Sequence, residues 1–326
     1  MRSFAKINLG LQIGARREDG FHELRTVYQT IALHDVVRVS VAPGRGIEIR
    51  CDDAGVPLDD SNTCYRMAAL VMEALKGRGK TTIEIEKRLP VQGGLGAASS
   101  NAVVTMLALE RALGGYGEKR SGTRRNQTLS MGERLQIAAE IGSDLPLFLI
   151  GGTVLGVGRG EEVYALSGIP TLALVVVTPE IGVSTPKAFA AWDELTRGHP
   201  SDRLKKLGPA LMAWPSSYPD AGAPRKSGSR AGSLLSDLVR TGIENDFEEV
   251  VFPLFPELRD MKRALVRAGS RYASLSGSGS ALYGLFGSAA EAARAAGRLR
   301  ALGIKAAATR TLTRREYGKR LLVRDR

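Results

Sequence analysis

The stretch Leu89 to Val104, LPVQGGLGAASSNAVV, gathers residue types that can hold an anion. Gly93, Gly94 and Gly96 bare the backbone, and Ser99, Ser100 and Asn101 stand where the long run Ala97 to Leu113, poor in helix breakers, begins. The first N–H groups of a helix lack intrahelical partners and sit at the positive end of its dipole, so phosphate is the natural guest. A strand leads in: Thr82-Ile83-Glu84-Ile85-Glu86-Lys87 alternates, and Pro90 stops it. Between Ala102 and Leu109 apolar residues occupy nearly every face, which predicts a buried helix. No Lys stands between Gly96 and Ser99-Ser100, which excludes a Walker A loop. A dinucleotide fingerprint on Gly94, Gly96 and Ser99 would need a strand buried on both faces, and this one alternates charge with Ile. By itself the loop also fits a capped hinge with no ligand.

Other candidates lie in the elements around it. Phe4 to Ile13 alternates as a strand, with Ala5, Ile7, Leu9, Leu11 and Ile13 on one face and Lys6, Asn8, Gly10 and Gln12 on the other. Lys6 and Asn8 therefore project together beside a glycine that leaves room for approach; the plainer reading is a solvated strand face. Asp19-Gly20 marks a turn before Phe21-His22, and a lone His22 reads first as a structural histidine. Ser143-Asp144-Leu145-Pro146 looks like a helix start with Asp144 as its cap. Ser276-Gly277-Ser278-Gly279-Ser280 is a second Gly/Ser loop, set between two apolar strands, and it strengthens the phosphate reading.

The elements that must carry these residues mix without a strict βαβα repeat, so the expected class is α+β. Strands are expected at Val36 to Val41, Gly46 to Arg50, Thr171 to Thr178 and Ala281 to Phe286, with a glycine-punctuated hairpin from Gly151 to Gly160. Helices are expected at Asn62 to Leu75, Met131 to Ile141, Thr185 to Leu195, Leu234 to Val239, Glu257 to Gly269 and Ala289 to Leu302. The length, 326 residues, suits two domains, divided here into 1–168 and 169–326.

Composition narrows the function classes. The chain is 43% hydrophobic and 25% charged, has no apolar run long enough to span a bilayer, and enters a strand directly after Met1-Arg2-Ser3, so a cytoplasmic protein with no membrane partner is expected. Cys51 and Cys64 with three scattered His offer neither a disulfide framework nor metal-ligand spacing. The net charge of +12 has a local origin. Residues 161–326 hold 25 Lys or Arg against 17 Asp or Glu, and from Arg310 onward seven basic residues face Glu316 and Asp325. Glu118 to Arg125 and Arg225 to Arg230 read as polar surface insertions without interleaved aromatics, so solvated loops and a solvated tail are expected and no nucleic-acid partner.

Together, the FAKINLGL strand, the LPVQGGLGAASSNA loop and the SLSGSGSALY loop resemble the three motifs of the GHMP kinases (galactose, homoserine, mevalonate and phosphomevalonate kinases). The resemblance covers nearly the whole chain outside the insertions and the tail. Asp19-Gly20-Phe21-His22 and IGSDLPLF are similar to the members that act on a cytidine diphosphate sugar-alcohol; a mevalonate- or homoserine-type kinase, or an RNA-binding protein on the same half-fold, stands as the alternative. The resemblance implies a ribosomal S5 domain 2-like N-terminal domain and a ferredoxin-like C-terminal domain, with the site between them. It implies Lys6 and Asp144 as the catalytic pair, Asp144 taking a proton from the acceptor hydroxyl and Lys6 neutralising developing charge. ATP is the implied cofactor, with Mg2+ carried on it. Pro90, Val91, Gln92, Gly93, Gly94, Leu95, Gly96, Ala97, Ala98, Ser99 and Ser100 would wrap its phosphates, and Asn62 and Lys87 would lie near the nucleotide. For the substrate, Phe21 would stack on cytosine and His22 hydrogen-bond its edge, with Asn8, Thr185, Gly277 and Gly279 lining the cleft. Family loops often read GGGLGGGSS, so Gln92, Ala97 and Ala98 are departures that first-turn helical residues would tolerate, and Ser278 and Ser280 are mild ones.

Overall fold

The computed structural model describes residues 1–91, 93–121, 128–197 and 244–322. Gln92, most of the two expected insertions, the helix expected at Leu234 to Val239 and the last four residues lie outside the described residues. Ten strands and nine helices are described, and the strands form two sheets.

The first sheet has six strands: β1 (Arg2–Arg16), β2 (His22–Ala42), β3 (Ile47–Cys51), β4 (Lys80–Glu86), β5 (Thr153–Val157) and β6 (Glu162–Ala165). Its order is β3-β4-β2-β5-β6, with β1 also paired to β2. Strand β2 is long enough to pair with β5 through Thr26–Gln29 and with β4 through Val36–Ala42. On the face away from the second sheet lie α1 (Thr63–Ala74), α2 (Ala97–Ser121) and α3 (Met131–Ile141), whose apolar positions close one core with Val37, Ile83 and Val154. Helix α2 runs past Leu113 and takes in the start of the first expected insertion. The short α4 (Leu147–Ile150) leads into the β5–β6 hairpin.

The second sheet is antiparallel throughout, in the order β10-β7-β9-β8, from β7 (Ala173–Val177), β8 (Tyr272–Leu275), β9 (Leu282–Phe286) and β10 (Ala306–Arg310). Helices α5 (Thr185–Thr196), α6 (Glu248–Leu254), α7 (Pro256–Arg267) and α8 (Ala289–Ala301) pack around it. No described helix is long and apolar enough to cross a membrane.

The two sheets meet on β1. Ala5, Ile7 and Leu9 share a core with Leu174, Val176, Tyr283 and Leu285, while Leu11 and Ile13 pack with Val175, Val177, Trp192 and Phe247. Each large apolar side chain buried there contributes about 1.5–3 kcal/mol. The opposite face is covered too: Lys6, Asn8 and Gln12 are all buried. The solvated-face reading of β1 is therefore corrected, because the second sheet packs against one side and the glycine loop closes over the other. Phenols from the second sheet grip the strand's backbone, Tyr283 donating to the Asn8 carbonyl at 2.8 Å and Tyr272 to the Leu9 carbonyl at 3.3 Å. Burial, chiefly, pushes both phenols up, so both remain donors.

The expected solvated tail is also corrected in its first part. Residues 314–320 form α9 (Arg314–Arg320), opened by a Thr313/Glu316 capping box. Tyr317 is buried against Phe4, with its hydroxyl donating to the Phe148 carbonyl at 2.6 Å, and the Arg2 N–H donates to the Leu321 carbonyl. Tyr317→Ala should cost about 3–5 kcal/mol of unfolding free energy as a large-to-small change, and Tyr317→Phe about 1 kcal/mol, both read by urea denaturation. A Tyr317→Ala protein as stable as the parent would show that α9 is not part of the folded core.

Candidate functional site

The register of β1 on β2 sets Lys6 opposite Thr30 and Asn8 opposite Tyr28. The Lys6 ammonium, only 3% exposed, donates to Asn8 Oδ1 at 2.8 Å and lies 3.2 Å from Asp144 Oδ2. Asn8 is held in turn, its Nδ2 donating to Thr26 Oγ1 at 2.7 Å. Tyr28 donates to the other Asp144 oxygen at 3.0 Å. Burial, and then the adjacent carboxylate, holds the Tyr28 phenol well above its usual range, so it keeps its proton. The helix-cap reading of Asp144 is corrected: α4 begins three residues later, has no side-chain cap, and the carboxylate is spent on Lys6 and Tyr28.

The glycine loop lies over Lys6. The Lys6 N–H donates to the Leu95 carbonyl at 2.9 Å, and a Cβ on Gly96 would stand 3.0 Å from the Lys6 stem. The Gly/Ser loop docks from the other side: Ser276 Oγ donates to the Gly94 carbonyl at 2.9 Å and the Ala281 N–H to the Gly93 carbonyl at 3.1 Å. Gly94 has a φ of +70°, and a Cβ there would meet the Ser276 carbonyl at 2.2 Å. Only glycine fits on both counts. Ala97 and Ala98 open α2 in ordinary helical conformation, as expected for first-turn residues.

Two cavities share this loop as a wall. One, of about 360 Å³, opens between the loop, the start of α2 and the start of α1, with Asn62, Lys87, Pro90, Val91 and Ala98 among its lining. The other, of about 370 Å³, contains Lys6, Asn8, Asp144, Phe21, His22, Thr185 and Gly277. Gly94, Gly96 and Ser99 face both. Leu95 points into the core and Ser100, fully buried, accepts from Ser3 Oγ, so these two loop residues turn away from the first cavity. Gly279 supports Gly94 from beneath and lies outside the lining of the second.

Several predicted residues carry duties the sequence concealed. Asn62 caps α1, its Oδ1 accepting from the Cys64 N–H. Lys87 gives its ammonium to Asp35, at 2.5 Å. Asp35 is fully buried and also accepts from the N–H groups of Arg88 and Leu89 and from Asn101 Nδ2. The donor expected from Asn101 is thus committed to Asp35, while its Oδ1, buried among the cavity residues, has no hydrogen-bond partner. His22 is buried and stacks flat on Phe189 at 4.9 Å, with Nε2 placed 2.6 Å from Asp193 Oδ1, so only the other ring nitrogen is left for a ligand. Phe21, 51% exposed, has one face under the Arg159 guanidinium. Thr185 Oγ1 meets Ser278 Oγ at 2.7 Å. Asn245 donates to the carbonyls of Leu275 and Gly277 and fixes the Gly/Ser loop. The roles of Tyr28, Asp35, Asp193 and Asn245 depend on pairings far apart in sequence, and no short motif announces them.

Known proteins share the family and the fold. Residues 62–152 match the GHMP kinases N terminal domain and residues 225–305 the GHMP kinases C terminal domain. A 4-diphosphocytidyl-2-C-methyl-D-erythritol kinase from Solibacter usitatus is 37% identical over 88% of this chain and 80% of its own, and one from Moorella thermoacetica is 34% identical over 95% and 98%. A crystal structure of 4-(cytidine 5'-diphospho)-2C-methyl-D-erythritol kinase superposes with a TM-score of 0.70 at 30% identity, covering 95% of this chain and 98% of that one. A homoserine kinase from Cytophaga hutchinsonii, at 20% identity and a TM-score of 0.64 over 96% of each chain, shares the fold.

The contact between the loops yields a test. Gly94→Ala should force the glycine loop off the Gly/Ser loop and weaken ATP binding by about 10-fold or more, since a backbone carbonyl has nowhere to move. Calorimetric titration measures it; unchanged affinity would mean that the two loops are not locked together.

Proposed function

The chain belongs to the GHMP kinase family, and we propose that its cleft carries out ATP-dependent phosphorylation of the 2-hydroxyl of 4-diphosphocytidyl-2-C-methyl-D-erythritol, a step of the non-mevalonate route to isoprenoids. The observation that carries the reading is the Lys6–Asp144 pair, set where two cavities of similar size share one glycine wall. A phosphoryl donor on one side and an acceptor alcohol on the other would meet at that wall.

The residues of the first cavity fit a nucleotide. The backbone of Gly93, Gly94 and Gly96 lines the cavity with no side chain in front of it, the first turn of α2 offers N–H groups, and the unpartnered Asn101 Oδ1 can accept from a ligand. ATP supplies the γ-phosphoryl group when bound. Mg2+ would arrive on the nucleotide's own phosphates.

In the second cavity Asp144 accepts the proton of the acceptor hydroxyl. The hydroxyl oxygen then bonds to the γ-phosphorus as the bond to the β-phosphate oxygen breaks. Lys6 lies against the base and offsets the charge that builds up, and Asn8 and Tyr28 keep the two side chains aimed at each other. Phe21 and His22 take the cytosine end, with Asn8, Thr185 and Gly277 also lining the cleft. We divide the chain into domains 1–168 and 169–326, a boundary supported by the change of sheet between β6 and β7, and place the enzyme in the cytoplasm.

Two measurements test this. Asp144→Asn and Lys6→Met should each lower turnover by ~10²-fold or more while ATP binding persists. Near-normal turnover in Asp144→Asn would remove the base. Phe21→Ala and His22→Ala should each lower kcat/KM for the cytidine substrate by about 10- to 100-fold, from lost stacking and an unpaired polar group, and much less for a base-free substrate. Equal losses on cytidine, uridine and base-free substrates would deny these residues the base.

A further inference from the structure

Asn245 lines neither cavity, yet its contacts join the strand that carries Lys6 to the loop that lies against it. Its own segment is clamped to β1. The Leu11 N–H donates to the Glu244 carbonyl at 3.0 Å and the Asp246 N–H to the Leu11 carbonyl at 2.9 Å, which makes a parallel bridge between Leu11 and Asn245. From there the side-chain amide reaches the Gly/Ser loop. Its Nδ2 donates to the carbonyls of Leu275 and Gly277 at 2.9 and 2.8 Å, and its Oδ1 accepts from the Phe247 N–H at 3.1 Å, so both amide hydrogens and the oxygen are engaged. The residue is 2% exposed.

The two carbonyls that it holds flank Ser276, whose hydroxyl supports Gly94. At Gly277 the loop comes up against the catalytic pair. Gly277 has a φ of +58°, and a Cβ on it would stand 3.3 Å from Lys6 Nζ and 3.6 Å from Asn8 Oδ1. The contacts close a ring that leaves β1 at Leu11, passes through the Asn245 amide to Gly277 and returns to β1 at Lys6 and Asn8. A loop containing Gly277 and Gly279 has wide conformational freedom of its own, and the amide removes it on the side that faces Lys6. We propose that Asn245 is a positioning residue for phosphoryl transfer: through the Leu275 and Gly277 carbonyls it holds the Gly/Ser loop against Lys6, and so fixes where the ammonium stands while Asp144 takes the acceptor's proton. The inference rests on the reading of Lys6 and Asp144 as the pair that carries the transfer.

Asn245→Leu keeps the volume and removes all three side-chain hydrogen bonds, whereas Asn245→Ala removes both. Each is compared with the parent at a temperature where circular dichroism shows it folded, by kcat, the KM of the acceptor and the calorimetric Kd for ATP. Both variants should lose about 10- to 100-fold in kcat, the scale of an ångström of misplacement, while the Kd for ATP changes by less than about 3-fold. The decisive measurement is a double-mutant cycle. Added to Lys6→Met, Asn245→Leu should lower kcat by less than about 3-fold further, since no ammonium is left to place. A support for the fold alone would lower kcat equally in both backgrounds, and that result would overturn the proposal. So would a kcat near the parent's in Asn245→Leu, which would reduce the residue to packing. Failure of both variants to fold at any temperature would make Asn245 a tie of the fold and would overturn it too. If Lys6→Met itself keeps the parent's turnover, the reading of the pair falls first and this inference falls with it.

Discussion

A lysine ammonium taken almost wholly out of water has to be given partners, and much of this structure is arranged around that requirement at Lys6. Removing an ion from water costs several kcal/mol after relaxation, and only close, well-aimed partners offset it. Asn8 and Asp144 supply them, from the same strand and from a turn more than a hundred residues away. The arrangement then propagates. Asp144 is fixed by Tyr28, Asn8 by Thr26, and the Lys6 stem by a glycine loop that can lie on it only because Gly96 has no side chain. Breaking any one of these leaves a buried polar group exposed to an apolar neighbour, so the constellation is held as a unit.

The second organising element is the sharing of β1. It belongs to the first sheet by hydrogen bonding and to the cores of both halves by packing. Two further ties reinforce it, the Asn245 bridge to Leu11 and the Asp246 carboxylate accepting from the Ile13 N–H at 2.8 Å. A site built on such a strand is positioned by both halves at once.

Much of this was legible in the sequence, and the parts that were not have a common cause. Helices with strong caps or clear periodicity, such as α1, α3 and α8, fall within a residue or two of expectation, as does the strand before the glycine loop, while the hairpin expected from Gly151 to Gly160 extends to Ala165 because its second strand follows the glycines. The bare backbone of Gly93 to Gly96 and the pairing of Lys6 with Asn8 were readable because one local stretch specifies each. Local pattern failed where tertiary contact decides. The alternation of β1 implied one wet face, yet a loop from elsewhere covers it; the turn chemistry of Ser143 to Pro146 implied a cap, yet a lysine on another strand takes the carboxylate. The basic tail looked solvated because Tyr317 is one aromatic among charges, and its pocket comes from Phe4 and Phe148. Asp35 is the strongest case: nothing near it in the chain hints that it will collect donors from Lys87, Arg88, Leu89 and Asn101.

The wall between the cavities, made by Gly94, Gly96 and Ser99, has a thermodynamic meaning of its own. One thickness of backbone is in contact with whatever occupies either side, and behind it the Gly/Ser loop allows Gly94 little retreat. Occupancy on one side that settles this backbone spares the second ligand the cost of ordering it, and linkage makes the benefit equal in both directions. On the proposed assignment the partition would act as a common ledge between donor and acceptor, and their affinities would become a joint property of the pair.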